Sequence, residues 1–244
     1  YLMMRWLQTP FEEMDGSIQI RKNIIYVQNI DAFLGEEVFS MNGKIETYTQ
    51  QFPKIELHTQ FDDNKVKMLP LEFAQVRGNA SIKGDRPPYT ISGMIDVVQA
   101  LWTKSFSSSS GISSRADRFA PVSAEKQNAS GLFALDLAVN ANQGFLVRNE
   151  VMDGEFKGKV KLIGSPENPK MLGDGQLVQG KVLFRDRPFI LESVKIDFDD
   201  PYNLNPKFNA AAVSEVNQYK IRVLAYGRSN AYEAHFSSTP YLSE

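Results

Sequence analysis

A two-residue hydrophobic period runs along most of this 244-residue chain and restricts its fold more than any other feature. In "LFALDLAV" (132–139) and "GEFKGKVKLIG" (154–164), large apolar or glycine residues recur at every second position. Because side chains alternate across a β-strand, each run places its apolar set on one face and its polar set on the other. The pattern predicts an all-β fold of roughly a dozen strands.

Two local patterns add detail to this prediction. Residues 2–13 show helical rather than alternating spacing, so we expect a short helix there. Asn-Gly and Asp-Gly pairs tolerate the positive φ angles of tight hairpins. We therefore expect turns at four such dipeptides, namely Asp15-Gly16, Asn42-Gly43, Asp153-Gly154 and Asp174-Gly175.

Composition excludes several classes of function. The 27 basic and 29 acidic residues nearly cancel, which argues against nucleic acid as a partner. The absence of cysteine excludes disulfides, thiol catalysis and cysteine-bound zinc, and suits an oxidising compartment. No apolar stretch reaches the eighteen or so residues of a membrane-spanning helix. Because the chain begins at Tyr1 without a methionine, we expect a piece of a longer protein or a mature product.

The sequence contains no arrangement typical of an active site. His58 and His235 lie within alternating runs on the polar side, where a solvent-facing role is expected. The pairs Asp62-Asp63 and Asp199-Asp200 end strand-like runs without calcium-binding spacing, and "GDGQLVQG" (173–180) lacks the lysine and the helix of a phosphate loop. We therefore expect no enzymatic activity, no cofactor and no metal site.

The apolar face remains as the candidate functional surface. Runs of about ten residues span roughly 33 Å at 3.3 Å per residue. Small residues recur on this face, and glycine lets a sheet bend sharply or lets another group approach the backbone. The small residues in question are Gly93, Gly158, Gly180, Ala210 and Ala212. A long, bent antiparallel sheet with this composition predicts an open hydrophobic trough rather than a filled interior.

Composition divides the chain into three segments. Residues 103–130 are rich in serine and poor in apolar residues, which predicts a flexible loop. Residues 1–102 carry alternating runs and are expected to form an N-terminal β segment of the trough. Residues 131–244 carry the remaining runs and are expected to form its C-terminal segment.

The C-terminal segment carries an order of elements that resembles a known domain. It reads "GKVKLIGSPENPKMLGDGQLVQGKVLFRDRPFILESVKIDFDDPYNLNPKFNAAA" from Gly158, and it closes with "FSSTPYLSE" from Phe236. A strand leading into Asn168-Pro169, a hairpin ending in Val-x-Ile-x-Phe, and Asn205-Pro206 before an alanine-rich strand resemble the C-terminal domain of TamB proteins. These belong to the translocation and assembly module and are related to AsmA-like, bridge-like lipid-transfer proteins.

The resemblance implies a fold, a location and partners. The fold would be a β-taco, an elongated sheet bent into a trough with an apolar lining. The location would be the periplasmic part of a protein anchored in the inner membrane of a Gram-negative bacterium, with the membrane attachment outside this chain. The partners would be phospholipid acyl chains and an outer-membrane barrel protein of the TamA or BamA type. The function would be phospholipid transport between the membranes or, alternatively, assembly of outer-membrane barrels.

These expectations identify a candidate lipid-binding lining and leave alternatives open. A closed β-sandwich would bury the same residues as ordinary core, and a polysaccharide hydrolase would need two facing carboxylates. The lining is expected to consist of Phe156, Val160, Leu162, Val182, Phe184, Phe189, Leu191, Ile196, Phe198, Phe208, Ile221, Val223 and Phe236.

Overall fold

The computed structural model describes residues 8–47, 51–67, 71–104, 131–166, 168–184, 187–201, 205–228 and 231–241. Within these ranges all regular secondary structure is β, as the alternation predicts. Thirteen strands follow one another: β1 Phe11–Arg21, β2 Ile24–Leu34, β3 Glu37–Glu46, β4 Lys54–Val66, β5 Phe73–Gly84, β6 Tyr89–Trp102, β7 Phe133–Arg148, β8 Met152–Ser165, β9 Asn168–Phe184, β10 Arg187–Phe198, β11 Lys207–Val216, β12 Tyr219–Arg228 and β13 Ala231–Thr239.

The thirteen strands form one open sheet in strict chain order from β1 to β13. The predicted antiparallel pairing is confirmed at every junction except β6–β7, which is parallel. Parallel neighbours cannot be joined by a tight hairpin, and the segment between Trp102 and Phe133 takes the place of such a turn. The proposed flexible loop lies within this connection, and its residues 105–130 are outside the described part of the chain.

The parallel junction keeps the two halves of the sheet in phase. Ile91 of β6 lies opposite Leu135 of β7, and Ile95 lies opposite Val139. Val139 in turn lies opposite Val160 of β8. Because directly opposed residues share a face, the apolar faces of the two halves merge into one. The N-terminal and C-terminal segments therefore contribute to a single surface.

Bulges bend the strands along one rim of the sheet. Register shifts interrupt the pairing between Val27 and Ile30, Phe61 and Asn64, Ala141 and Phe145, and Leu191 and Ser193. A bulge adds one residue to one strand of a pair and increases the local bend and twist. Beyond these shifts, apolar side chains pack into two clusters, and Phe145 contacts both. The clusters are Ala32, Leu34, Phe39, Val66, Ala74 and Ala100, and Val147, Phe156, Phe189, Leu191, Val194 and Ala212.

Two predictions from local pattern are wrong. The four Asx-Gly dipeptides lie inside β1, β3, β8 and β9 rather than in turns. At Gly43 the glycine permits close strand contact, since an added methyl group would lie less than 3.0 Å from the carbonyl oxygen of Glu56. The helix expected over residues 2–13 is wrong from Phe11 onward, where β1 begins. Residues 1–7 lie outside the described ranges.

An ion-pair cluster fastens the connection between β10 and β11 to β12. The Asp199 carboxylate accepts a hydrogen bond from Arg228 at 3.0 Å, and the Lys207 ammonium lies 2.5 Å from its other oxygen. Arg228 also donates to the carbonyl oxygen of Asn205 at 2.6 Å. The hydrogen bond from Lys207, together with that from Arg228, lowers the pKa of Asp199 below its usual value. The Asp199-Asp200 pair therefore has a structural role through Asp199.

Replacing Asp199 with asparagine should weaken the folded state at neutral pH. A carboxylate whose folded pKa is lowered contributes stability above its ordinary pKa, and this contribution disappears as pH falls through the folded value. The difference in urea midpoint between wild type and D199N should thus be largest at pH 7 and shrink in strong acid. Asp197→Asn, which changes an exposed carboxylate two residues earlier, near the end of β10, is the control. An equal difference at both pH values would contradict the role of Asp199.

Candidate functional site

The thirteen residues expected to form the lining lie on the same face of the sheet. Val160 lies between Val139 and Gly173, and Leu162 lies between Leu137 and Met171. The same alignment continues across β10 to β13. There Leu191 opposes Ala212, Ala212 opposes Val223, and Val223 opposes Phe236. The structure thus brings these side chains together on one surface, and their contact with lipid stays a prediction.

Exposure varies across this face in a graded way. Phe156, Phe189 and Leu191 are buried in the cluster along the bent rim. Phe184 and Phe236 are 47% and 56% exposed. The remaining eight are half-buried, namely Val160, Leu162, Val182, Ile196, Phe198, Phe208, Ile221 and Val223. Most of the lining is therefore neither sealed in a core nor fully open to solvent.

A closed sandwich does not account for this gradient. The described strands form one sheet, with no second sheet packed against it. The side chains of a two-sheet core would be buried by the opposite layer. Here the partial burial comes from the neighbouring side chains and the curvature of the same sheet. The surface is an apolar trough, and we use that name for it below.

The trough extends beyond the residues expected from the sequence. In the N-terminal half, Leu57 opposes Gly43 on β3 and Ile82 on β5, and Ile82 opposes Ile91. Ile91 opposes Leu135, which belongs to the C-terminal half. The predicted lining begins at Phe156, because the family resemblance was clearest in the C-terminal segment. The alternating runs at 55–61 and 91–97 already carried the signal for the earlier strands.

The opposite face of the sheet carries many of the charged side chains, together with exposed apolar ones such as Met94, Ile190 and Leu224. Lys83 lies 3.7 Å from Glu56, Lys161 lies 2.7 Å from Asp136, and Arg222 lies 3.1 Å from Glu192. Such exposed pairs contribute little to stability but keep this face solvated. His58 and His235 are exposed on this face, as the alternation predicts. The ion pairs therefore lie on the outer face, and the inner face is the more continuously apolar of the two.

Aromatic side chains concentrate where the trough approaches β13. The Phe208 and Tyr232 rings lie 5.8 Å apart, and the Phe184 and Phe236 rings lie 6.0 Å apart. Tyr232 and Phe236 both point into the trough from β13, at 61% and 56% exposure. These two pairs border a floor of small side chains formed by Ala210, Ala225 and Ala234, which oppose one another in that order.

The other polar features identified in the sequence have structural partners. Asp62 and Asp63 lie at the bulge of β4, where Arg77 is 3.6 Å from Asp62 and 2.6 Å from Asp63. The "GDGQLVQG" segment is part of β9 and does not precede a helix. Among the described residues, no group of three or more His, Cys, Asp or Glu side chains is placed to hold a metal ion. The same residues include no helix long and apolar enough to cross a membrane.

The chain matches a model of a known protein family. The family model described as the TamB C-terminal domain matches residues 28–244. The matched region begins within β2 and includes β3 to β13, so it covers nearly all of the trough. No curated protein sequence matches the chain.

Proposed function

The chain belongs to the TamB family, the translocation and assembly module proteins of the Gram-negative envelope, and we propose that its trough shields phospholipid acyl chains in transit between the two membranes. The observation that carries the proposal is the apolar face shared by consecutive strands on both sides of the β6–β7 junction. Much of that face is half-exposed in a single sheet. Binding there requires no catalytic group and no cofactor.

Energetics favour an acyl chain as the occupant. Each methylene transferred out of water contributes about 0.8 kcal/mol, so a tail of about fifteen carbons gains on the order of 10 kcal/mol. Hydrocarbon tails offer no hydrogen bonds, and the inner face presents mainly aliphatic and aromatic groups such as Val160, Leu162 and Ile221. The charged outer face meanwhile suits an aqueous compartment, which we place in the periplasm, with attachment to the inner membrane through other parts of the protein.

Site-specific photo-crosslinking tests the proposal directly. A photoreactive amino acid at Ile221 would face the trough, whereas the same probe at Lys220 would face outward from the same strand. We expect phospholipid adducts from Ile221 in intact cells and few from Lys220. Adducts at Ile221 that contain only protein, or equal lipid capture at the two positions, would refute the proposal.

A charge introduced into the lining should block tail binding. Leu162→Glu places a carboxylate on the half-buried inner face, and a charge without a partner is costly next to hydrocarbon. We expect lipid capture from a probe at Ile221 to fall about tenfold, which corresponds to about 1.4 kcal/mol. Lys161→Glu, one residue earlier and outward-facing, is the matched control. Circular dichroism should show unchanged strand content in both variants; equal capture by both would contradict the prediction.

A second candidate function concerns the edge strand β13, which within the described part of the chain pairs with β12 on its other side. This strand pairs with β12 over Ala231–Thr239 without a register shift, whereas β1 at the other edge has two shifts and an acidic start. A regular edge strand can accept an extended strand from another chain. TamB proteins work with an outer-membrane barrel partner, and we propose β13 as the edge that would receive a strand in barrel assembly.

Competition separates the two candidate functions. An unfolded peptide from an outer-membrane barrel protein should bind the edge of β13 through main-chain hydrogen bonds, which leaves the trough free. If assembly is the function, phospholipid will not displace this peptide from the chain. If lipid shielding alone is the function, the peptide will not bind the chain, whereas phospholipid adducts will still form at Ile221.

A further inference from the structure

Two phenylalanines from strands that are not neighbours meet at the mouth of the trough. Phe184 ends β9, and Phe236 lies in β13. Their ring centroids are 6.0 Å apart with planes inclined at 39°. The ring of Phe189, at the start of β10, lies 6.3 Å from Phe184 in an edge-on arrangement. The contact thus joins the ends of a five-strand section of the sheet.

This contact requires strong local curvature. Strands β9 and β13 are separated by four inter-strand steps. At roughly 4.8 Å per step, a flat sheet would hold them about 19 Å apart. Two phenylalanine side chains cannot bring their rings together across such a gap. The section from β9 to β13 therefore curls until its two ends face each other over the trough.

Small side chains on the inner face permit this curl. Ala210 opposes Ala225, and Ala225 opposes Ala234, so three consecutive strands carry alanine at the same level. Ala212 continues this surface toward the buried cluster. Larger side chains on a concave surface would collide as the sheet closes. The register shift between Leu191 and Ser193 adds a bend to β10 within the same section.

The aromatic contact is weak enough to open. An aromatic pair biases an equilibrium by only about two- to thirteen-fold beyond the burial of its area. Both rings are already about half exposed, at 47% and 56%. Separation of the two rings therefore exposes little new surface. An acyl chain on the alanine floor would offer the rings a replacement apolar contact. A tail can therefore displace the rings from each other, because its transfer out of water is more favourable than the ring pair.

We infer that Phe184 and Phe236 form a reversible clasp that closes the mouth of the trough between β9 and β13 and that is opened by an acyl chain. The inference rests on the proposed lipid-shielding function and adds a regulated opening to it. In the lipid-free chain the rings meet beside the alanine floor, where Ala210 and Ala225 are half-buried and Ala234 is exposed. With a tail in place, the rings separate and border it.

Distance measurements between spin labels test the clasp. The chain contains no cysteine, so Leu183→Cys and Ser237→Cys introduce the only labelling sites. Both positions are exposed on the outer face and adjoin the clasp residues without replacing them. Pulsed electron paramagnetic resonance on the 244-residue chain should give one short distance without lipid. Phe236→Ala should lengthen and broaden that distance, and phosphatidylglycerol vesicles should do the same to the wild-type clasp.

A matched aromatic variant provides the control. Tyr232→Ala removes a ring from the same strand and face, but that ring contacts Phe208 rather than Phe184. It should leave the distance between positions 183 and 237 unchanged. An unchanged distance in Phe236→Ala would overturn the clasp, whatever lipid does. If vesicles leave the distance unchanged while a probe at Ile221 still captures phospholipid, lipid-driven opening is wrong and the proposed function stands. If the probe at Ile221 captures no phospholipid, the proposed function itself is refuted.

Discussion

Replacing Gly78 with alanine should lower the free energy of unfolding by about 3 kcal/mol, from backbone strain and overpacking together. Gly78 lies on β5 opposite Ile95, and its φ of +143° is one that L-residues rarely adopt. A methyl group there would lie less than 3.0 Å from the carbonyl oxygen of Met94 and close to the backbone of Ile95. These are main-chain atoms held in the sheet, so neither can move away without breaking the pairing of β5 with β6.

Gly175 provides the matched control for this substitution. It also lies in a strand and faces the trough, but the atoms nearest to an added methyl group are 3.8 Å away. Gly175→Ala should therefore change the free energy of unfolding by no more than about 0.5 kcal/mol, and a small gain is expected from the less flexible unfolded chain. Urea unfolding followed by circular dichroism measures both variants. Equal losses would show that close strand approach at Gly78 is not what requires glycine.

Replacing Asn64 with alanine should lower the free energy of unfolding by a similar amount, about 3 kcal/mol. The Asn64 side chain is fully buried at the bulge of β4. Its amide nitrogen donates to the carbonyl oxygens of Leu34 and Glu37 at 3.1 and 2.8 Å, and its side-chain oxygen accepts from the Asp62 amide at 2.8 Å. Alanine would leave three main-chain groups without these partners at roughly 1 kcal/mol each.

One Asn64 hydrogen bond joins two strands that are not neighbours in the sheet, because Leu34 lies in β2 and Asn64 in β4. Leu34 and Glu37 flank the turn between β2 and β3, so Asn64 holds that turn against β4. Asn42→Ala, an exposed asparagine in β3, is the control and should change stability by no more than about 0.5 kcal/mol. Hydrogen exchange should locate the Asn64→Ala effect at the β2–β3 turn. If amide protection at that turn is the same in Asn64→Ala as in the wild type, the proposed contact is contradicted.

The strands could be predicted because each has one face that must avoid water. Alternation over residues 154–164 predicted what the structure shows as β8, and all thirteen expected lining residues lie on one face. The alternation fails where bulges shift its phase. Leu191 and Val194 are three residues apart and yet belong to the same buried cluster, because a register shift separates them. The helix expected over residues 2–13 extended into the start of β1, where register shifts over residues 12–17 interrupt the pairing with β2.

Strand direction and long-range contacts could not be predicted from pattern. Apolar alternation reads the same in both chain directions, so it does not distinguish the parallel β6–β7 pair from an antiparallel one. The long serine-rich segment in place of a tight turn was the available signal. Burial of Asn64 depends on a turn about thirty residues away in sequence. The Phe184–Phe236 contact depends on the summed curvature of five strands, which no short sequence window records.

The chain order of the sheet has a consequence for how the domain gains and loses structure. Each described strand pairs with its neighbours in sequence. The stability of the sheet is therefore distributed over consecutive strand interfaces. Disruption of one strand interface weakens the adjoining strands and leaves distant strands paired. Pairing of β6 with β7 has the largest loop-closure entropy cost, because it joins Asp96 to Asn140 across 44 residues. We therefore expect strands β1–β6 and strands β7–β13 to fold separately, and the pairing of β6 with β7 to form last.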